Sequence, residues 1–113
     1  MRYLKIQWSP SRQQALDLPI LLYVEIDSHR REQRKICYFR DGPPGYASRT
    51  TGERGVMLDL QPLPTLEALS ADATIVAADE TSEEFEKQWQ HATHSPRESR
   101  GLWEAFLAFL ATL

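Results

Sequence analysis

The sequence has one cysteine, five glycines and no long apolar run, and each scarcity excludes a class of protein. The single cysteine, Cys37, cannot form an internal disulfide, so the fold depends on ordinary packing. It lies in the apolar stretch KICYF, which predicts a buried hydrophobe instead of a reactive thiol. No phosphate-binding glycine loop, G-x-S-x-G elbow or H-E-x-x-H motif is present. The sequence therefore predicts no catalytic residue and no cofactor, and argues against an enzyme.

The two ends of the chain bear on compartment and membrane. The first residues, MRYLKIQW, contain no continuous apolar segment and no small-residue cleavage site, so no secretory signal is predicted. Residues 101–113, GLWEAFLAFLATL, are apolar but fewer than the roughly 20 residues that a membrane-spanning helix needs. They also lack the Lys and Arg of a helix lying on a membrane surface. We expect a cytoplasmic protein with no membrane attachment.

Size and charge indicate one small, slightly acidic domain. The chain has 113 residues, 42% hydrophobic and 26% charged, which is typical of a globular protein with an ordinary core. The net charge is −3 and the isoelectric point is near 5.6. A domain that binds nucleic acid through its phosphates usually has a basic excess, so this charge argues against that class.

Alternating apolar residues in the first half predict an antiparallel sheet. Three strands are predicted in RYLKIQW, PILLYVEIDS and RKICYFRDG, and the second and third form a hairpin across HRREQ. The turn segments DGPPG and TTGERG predict a short fourth strand near residues 46–49 and a fifth in VMLDL, residues 56–60. DATIVAADE is ambiguous and is interpreted as a short edge strand.

Helix signals occupy the second half. Thr81 and Glu84 have the spacing of a capping box, and Phe85, Trp89 and Ala92 form one apolar stripe, so a helix over 83–93 is predicted to dock on the sheet. Pro96 is expected to break it. TLEALSA predicts one or two helical turns capped by Thr65.

The final segment predicts an extra apolar helix that is buried on protein, either on its own sheet or on a second copy of the chain. Its candidate interface residues are Leu102, Trp103, Phe106, Phe109 and Leu110. The predicted fold is α+β, with an antiparallel sheet of four to five strands, one helix packed on it and this C-terminal helix. We divide the chain into an α+β domain at 1–94 and, at 95–113, a linker and helix that belong to the same domain or form a homodimer.

Two groups of acidic and aromatic residues are candidates for binding a protein partner. Acidic residues at a helix start complement the helix dipole, and they also form a patch that attracts a basic surface. The partner-binding candidates are Asp79, Glu80, Glu83 and Glu84 at the helix start, with Tyr23, Glu25 and Asp27 on one strand face.

A basic stretch is the alternative candidate, for nucleic acid. Arg30, Arg31, Arg34 and Lys35 have the charge to contact phosphates. We favour a solvated hairpin whose arginines pair with Glu25, Asp27 and Glu32. His91 and His94 lie one helical turn apart, but zinc needs two further ligands, so no metal site is predicted.

The order of four segments resembles a family of short bacterial proteins with an uncharacterised domain. The segments are Trp8 in the opening strand, LLYVEID at 21–27, RKICYFRDGPPGYA at 34–47 and EEFEKQW at 83–89. The resemblance spans Arg2 to Ala92 and implies a compact α+β domain. It implies no activity and assigns no site residues.

In size and acidity the chain is also similar to the immunity proteins of polymorphic toxin systems. We therefore expect a cytoplasmic protein-binding module, foremost an immunity-type protein that neutralises a bacterial toxin. The alternatives are a nucleic-acid-binding or regulatory module that uses the basic hairpin, and a small enzyme with unrecognised chemistry.

Overall fold

The computed structural model describes residues 1–9, 19–40, 43–50, 52–53 and 56–98. The predicted C-terminal helix lies outside these described residues. So do its candidate interface residues Leu102, Trp103, Phe106, Phe109 and Leu110.

Six strands and two helices make up the described chain. In order they are β1 (Arg2–Trp8), β2 (Pro19–Ile26), β3 (Glu32–Phe39), β4 (Gly45–Ser48), β5 (Gly52–Glu53), α1 (Leu66–Ser70), β6 (Ile75–Glu80) and α2 (Ser82–Glu98).

The strands form one antiparallel sheet in the order β5-β4-β3-β2-β1-β6. The α+β class and the antiparallel sheet are confirmed, and DATIVAADE does contain an edge strand. The described sheet has six strands because β6 pairs with β1 at the edge opposite β5.

The predicted strand at 56–60 is wrong. These residues pair with no strand among the described residues, and the fifth strand is instead the two-residue β5. Val56 and Leu58 still pack against the aliphatic side of the sheet, and the Asp59 amide donates to a carboxylate oxygen of Glu32 at 2.8 Å. The apolar pattern of this segment therefore reflects a chain lying across the sheet instead of an added strand.

Both faces of the sheet are covered, and their side chains differ in kind. One face is aliphatic and lies under α1 and the segment that precedes it. Its buried residues are Leu4, Ile6, Leu22, Val24, Ile26, Cys37, Ala47, Val56 and Leu63. The other face is aromatic and lies under α2, with Tyr3, Leu21, Tyr23, Ile36, Tyr38, Tyr46, Phe85, Trp89 and Ala92. Alternation along the strands sorts the two sets, as the period of two predicted.

The start of α2 confirms half of the predicted capping box. The Thr81 hydroxyl accepts from the Glu84 amide at 3.1 Å. The reciprocal bond is absent, because the Thr81 amide donates to the Glu80 carboxylate at 2.8 Å and the Glu84 carboxylate accepts from Gln88 at 2.9 Å. Glu80, the residue before the cap, replaces Glu84 in that role.

The predicted end of α2 is wrong, because the helix continues through Pro96 to Glu98. A proline removes one amide donor and crowds one carbonyl, which weakens a helix locally without requiring it to stop. At α1, the predicted cap is confirmed, since the Thr65 hydroxyl accepts from the Ala68 amide at 3.2 Å.

Phe85 anchors α2 and is the first residue to test. Its side chain is 0% exposed, and its ring centroid lies 5.0 Å from that of Tyr3. We expect Phe85→Ala to lower the free energy of unfolding by about 3–5 kcal/mol, measured by urea denaturation, because it leaves a cavity under the helix. The control Val76→Ala, at a side chain 65% exposed on β6, should change it by less than about 0.5 kcal/mol. Equal effects of the two substitutions would contradict this packing.

Candidate functional site

Two of the predicted partner-binding residues lie in the protein interior. Tyr23 is 4% exposed and Glu25 is 6% exposed, both under α2. The sequence pattern placed them on a solvated strand face, but the aromatic stripe of α2 docks on that same face. Neither side chain therefore presents a surface to a partner, and both leave the candidate site.

Glu25 is buried as an ion pair with Arg34. The Arg34 guanidinium donates to both carboxylate oxygens of Glu25, at 2.9 Å and 2.7 Å, and also to the carboxylate of Glu86 on α2. The same guanidinium lies 4.9 Å from the ring centroid of Phe85 and 5.1 Å from that of Trp89. Arg34 therefore joins β2, β3 and α2, and its role is structural.

This pairing lowers the pKa of Glu25. The largest cause is the hydrogen bond from Arg34, and a second hydrogen bond from Tyr3 acts in the same direction, while burial opposes both. Burial and the bond to Glu25 raise the pKa of the Tyr3 hydroxyl. Glu25 is therefore held ionised and fully partnered, which does not suit a general acid or base.

Asp27, the third residue of the predicted strand face, organises the β2–β3 turn. One of its carboxylate oxygens accepts from the amides of His29 at 2.8 Å and Arg31 at 2.9 Å, and the other accepts from the Gln33 side chain at 3.2 Å. The backbone hydrogen bonds to Arg31 and His29 lower the pKa of Asp27. This is an Asx turn, and it explains the acidic residue at that position.

The four residues of the basic stretch are likewise engaged within the protein. Arg30 has a backbone φ of 63°, and its guanidinium donates to the carbonyls of Leu63 at 2.8 Å and Pro64 at 2.6 Å. Arg31 donates to the Leu60 carbonyl at 3.2 Å. These two arginines hold the chain that precedes α1.

The remaining two form ion pairs. Arg34 pairs with Glu25, as predicted, and Lys35 pairs with the buried Glu32 at 3.0 Å. The four side chains therefore do not form one phosphate-binding surface.

The acidic residues near α2 do gather at one place, where β6 leads into the helix. Asp79 is an exposed carboxylate that pairs with Arg2 at 2.8 Å, and the pairing lowers its pKa. Glu83 is exposed in the first turn of α2, and Glu80 and Glu84 are half-buried beside it. We define these four carboxylates as the acidic corner.

The acidic corner belongs to a longer segment with charge of one sign. Residues 56–86 contain no Lys, Arg or His, and their acidic residues are Asp59, Glu67, Asp72, Asp79, Glu80, Glu83, Glu84 and Glu86. The cations Arg30, Arg31, Arg34, Lys35, Arg40 and Arg49 lie on or next to β3 and β4. The sheet order places the acidic corner at the edge opposite β5, next to Arg2 and Lys5 of β1. Asp59 lies elsewhere, beside β4.

The outer edge of β6 adjoins the acidic corner. Within the described chain, β6 pairs only with β1, so its other side faces outward. Val76 is 65% exposed, and Ala78 is also exposed. Sequence reasoning identified this strand but did not include Val76, Ala77 and Ala78 in the candidate site, because their small apolar side chains have no charge pattern to mark them.

Four further residues with reactive or titratable side chains are Cys37, Tyr38, His91 and His94. Cys37 is buried, as predicted, and burial raises the pKa of its thiol to about 11. Tyr38 bonds to Gln88 and stacks against His91 with ring centroids 6.5 Å apart, and burial raises its pKa to about 12. His94 is exposed. Among the described residues, no three His, Cys, Asp or Glu side chains converge as metal ligands would.

A groove of about 700 Å³ lies beside β4, next to the segment at 56–60. Arg31 and Arg49 line it together with Glu32 and Asp59, so its charges are mixed. Exposed Met57 and Leu60 add apolar surface. This lining selects no single class of ligand.

The fold and the site thus describe a small α+β domain with an acidic sheet edge. The chain belongs to the family described as a domain of unknown function (DUF6881), whose model matches residues 2–94. This confirms the resemblance inferred from the strand and helix motifs. No curated protein and no solved structure gives a significant match. Across the residues that the structure covers, no helix is long and apolar enough to cross a bilayer.

The Glu25–Arg34 pair predicts a pH-dependent stability. We expect Glu25→Gln to lower the free energy of unfolding at pH 7 by about 2–4 kcal/mol, because Arg34 loses its buried partner. Since the folded-state pKa of Glu25 is lowered, its contribution is fully present above the ordinary value of 4.5 and is lost as pH falls through the folded value. Urea denaturation at several pH values should show the wild type and the variant converging below that pH. The control Glu86→Gln, at a side chain 47% exposed, should cost about 0–1 kcal/mol. A difference that persists undiminished at low pH would contradict the assignment.

The contacts of Arg30 predict a structural effect instead of a nucleic-acid effect. We expect Arg30→Ala to destabilise the fold by about 1–3 kcal/mol in urea denaturation, because two carbonyls lose a charged donor. Arg40→Ala, at an exposed side chain, serves as the matched control and should change stability by less than about 0.5 kcal/mol. A variant of Arg30 that kept full stability but lost salt-sensitive RNA or DNA binding would contradict this interpretation.

Proposed function

We propose that this chain is a cytoplasmic protein-binding module whose acidic corner and β6 edge meet a basic protein partner. The observation that carries the proposal is the outer edge of β6, which pairs with no strand of the described chain and adjoins Asp79, Glu80 and Glu83. Residues 56–86 contain no basic residue, and Arg2 of β1 pairs with Asp79. A negatively charged surface speeds the association of a basic partner and disfavours an acidic one.

The most specific form of the proposal is an immunity-type protein that binds and neutralises a bacterial toxin. The acidic excess and the acidic corner support it, because an inhibitor needs a surface complementary to that of its toxin. The nucleic-acid alternative has less support, since the side chains of Arg30, Arg31, Arg34 and Lys35 all bond to carbonyls or carboxylates of the same chain. A homodimer through residues 101–113 stays a prediction.

The test expresses the chain together with the product of each neighbouring gene in its genome. One of these products should inhibit growth when it is expressed alone, and co-expression of the chain should relieve that inhibition. The purified pair should form a complex whose affinity falls as the salt concentration rises.

Glu83→Lys should slow association with the partner about three- to tenfold, because it reverses an exposed charge of the acidic corner. Lys87→Ala, exposed on the same helix, is the matched control and should leave association unchanged or slightly faster. If the chain binds none of these products and relieves no growth inhibition, the immunity proposal is wrong.

A further inference from the structure

We infer that the outer edge of β6 accepts an extended, lysine- or arginine-bearing segment of the partner as a seventh strand of the sheet. This inference rests on the proposed function and names how the partner binds. Strand addition to a sheet edge takes its affinity from main-chain hydrogen bonds and its selectivity from the alternating side chains.

The hydrogen-bond pattern shows which backbone groups of β6 face outward. The Ser9 amide donates to the Thr74 carbonyl at 2.7 Å, so these two residues form a hydrogen-bonded pair with β1. In an antiparallel ladder such pairs recur at every second residue, here at Val76, Ala78 and Glu80. The amides and carbonyls of the intervening residues Ala77 and Asp79 therefore point away from β1.

Ile75 supports this assignment. Its amide donates to the Asp72 carbonyl at 3.0 Å, so it is turned away from β1 as the alternation requires. The outward groups of β6 that remain for an added strand are then the Ile75 carbonyl and the amides and carbonyls of Ala77 and Asp79. No strand in the described part of the chain pairs with them. They form a donor and acceptor row long enough for one short strand.

The side chains around this row suit an incoming strand. Val76 and Ala78 are exposed on one side of the sheet, and both are small enough for a neighbouring backbone to approach closely. An added strand would cover them with its own alternate side chains. Val76 in particular would exchange water for apolar contact.

Charge selects the occupant. Asp79, Glu80 and Glu83 lie at the end of the row. Arg2 of β1 pairs with Asp79, but residues 56–86 themselves contain no basic residue. Two copies of the chain paired edge to edge would bring two such acidic segments together, and charged residues at an edge are a known obstacle to self-pairing. A segment that carries lysine or arginine gains attraction from the same side chains.

The experiment measures amide hydrogen exchange by NMR on the full chain. In the free protein the amides of Ala77 and Asp79 should exchange much faster than those of Val76, Ala78 and Glu80. The probe is a short capped peptide of alternating lysine and valine. It should slow exchange at Ala77 and Asp79 by at least about tenfold, because these two amides gain acceptors.

Matched peptides separate strand addition from simple charge attraction. A peptide with the same residues but N-methylated at alternate amides keeps the charge and loses the donors. Two such peptides exist, because either set of alternate amides can be methylated. The peptide whose methylated amides would face β6 should bind at least about tenfold more weakly. A peptide with glutamate in place of lysine should not bind. Equal binding of the methylated and unmethylated peptides would overturn strand addition.

A protein variant tests the same bond from the other side. Ala77→Pro removes one outward amide and is of the kind tolerated on an edge strand. It should weaken binding of the lysine peptide at least about tenfold, whereas Ala77→Ser, which keeps the amide, should not. Thermal unfolding of both variants shows whether the sheet is intact. If the proline variant unfolds, the methylated peptides on the wild-type protein decide the matter.

Other outcomes overturn the inference in distinguishable ways. If exchange of the Ala77 amide in the free protein slows as the protein concentration rises, the edge is occupied by a second copy. Protection that is independent of concentration assigns it to another part of the same chain. Toxin binding that is unchanged by Ala77→Pro but slowed by Glu83→Lys keeps the proposed function and removes strand addition. Peptide binding without any neutralised toxin removes the immunity proposal alone.

Discussion

The rest of the structure depends on the ion pair between Arg34 and Glu25. A carboxylate that is 6% exposed in the middle of a sheet would be strongly unfavourable without a partner. Arg34 supplies two hydrogen bonds to it, and its guanidinium also bonds to Glu86 and lies over the rings of Phe85 and Trp89. One side chain therefore neutralises the buried charge and holds α2 on the sheet.

The order of the strands distributes a small net charge unevenly over the molecule. The chain carries only −3, and six of its thirteen Lys and Arg residues lie on or next to β3 and β4, whereas residues 56–86 contain only acidic charge. Because β6 pairs with β1, the acidic corner lies at the edge opposite β5, where Arg2 of β1 pairs with Asp79. The arginines predicted as candidates for phosphate contacts bond instead to this chain: Arg30 and Arg31 to backbone carbonyls and Arg34 to Glu25. The carboxylates at the start of α2 remain on the surface. The proposal that a basic partner binds at the acidic corner rests on these carboxylates.

Local signals predicted much of the fold. The alternation in the first three strands, the Thr81 and Thr65 caps and the apolar surroundings of Cys37 depend on near neighbours, and all are confirmed. The wrong predictions depend on distant residues. The VMLDL segment packs on the sheet without joining it, and α2 continues through Pro96. Tyr23 and Glu25 looked solvated because no local pattern shows that a helix some sixty residues later covers them.

By itself the sequence determined that this is a small acidic α+β domain with an antiparallel sheet, and it marked the carboxylates of the acidic corner. It did so because strand alternation, capping and net charge are properties of short windows or of composition. Only the tertiary structure decided which polar residues are buried, which cations are already paired, and that β6 forms an edge beside those carboxylates. Each of these depends on contacts between residues far apart in the chain. The pairing of β6 with β1, more than any single motif, therefore decides that β6 forms an edge of the described sheet beside those carboxylates.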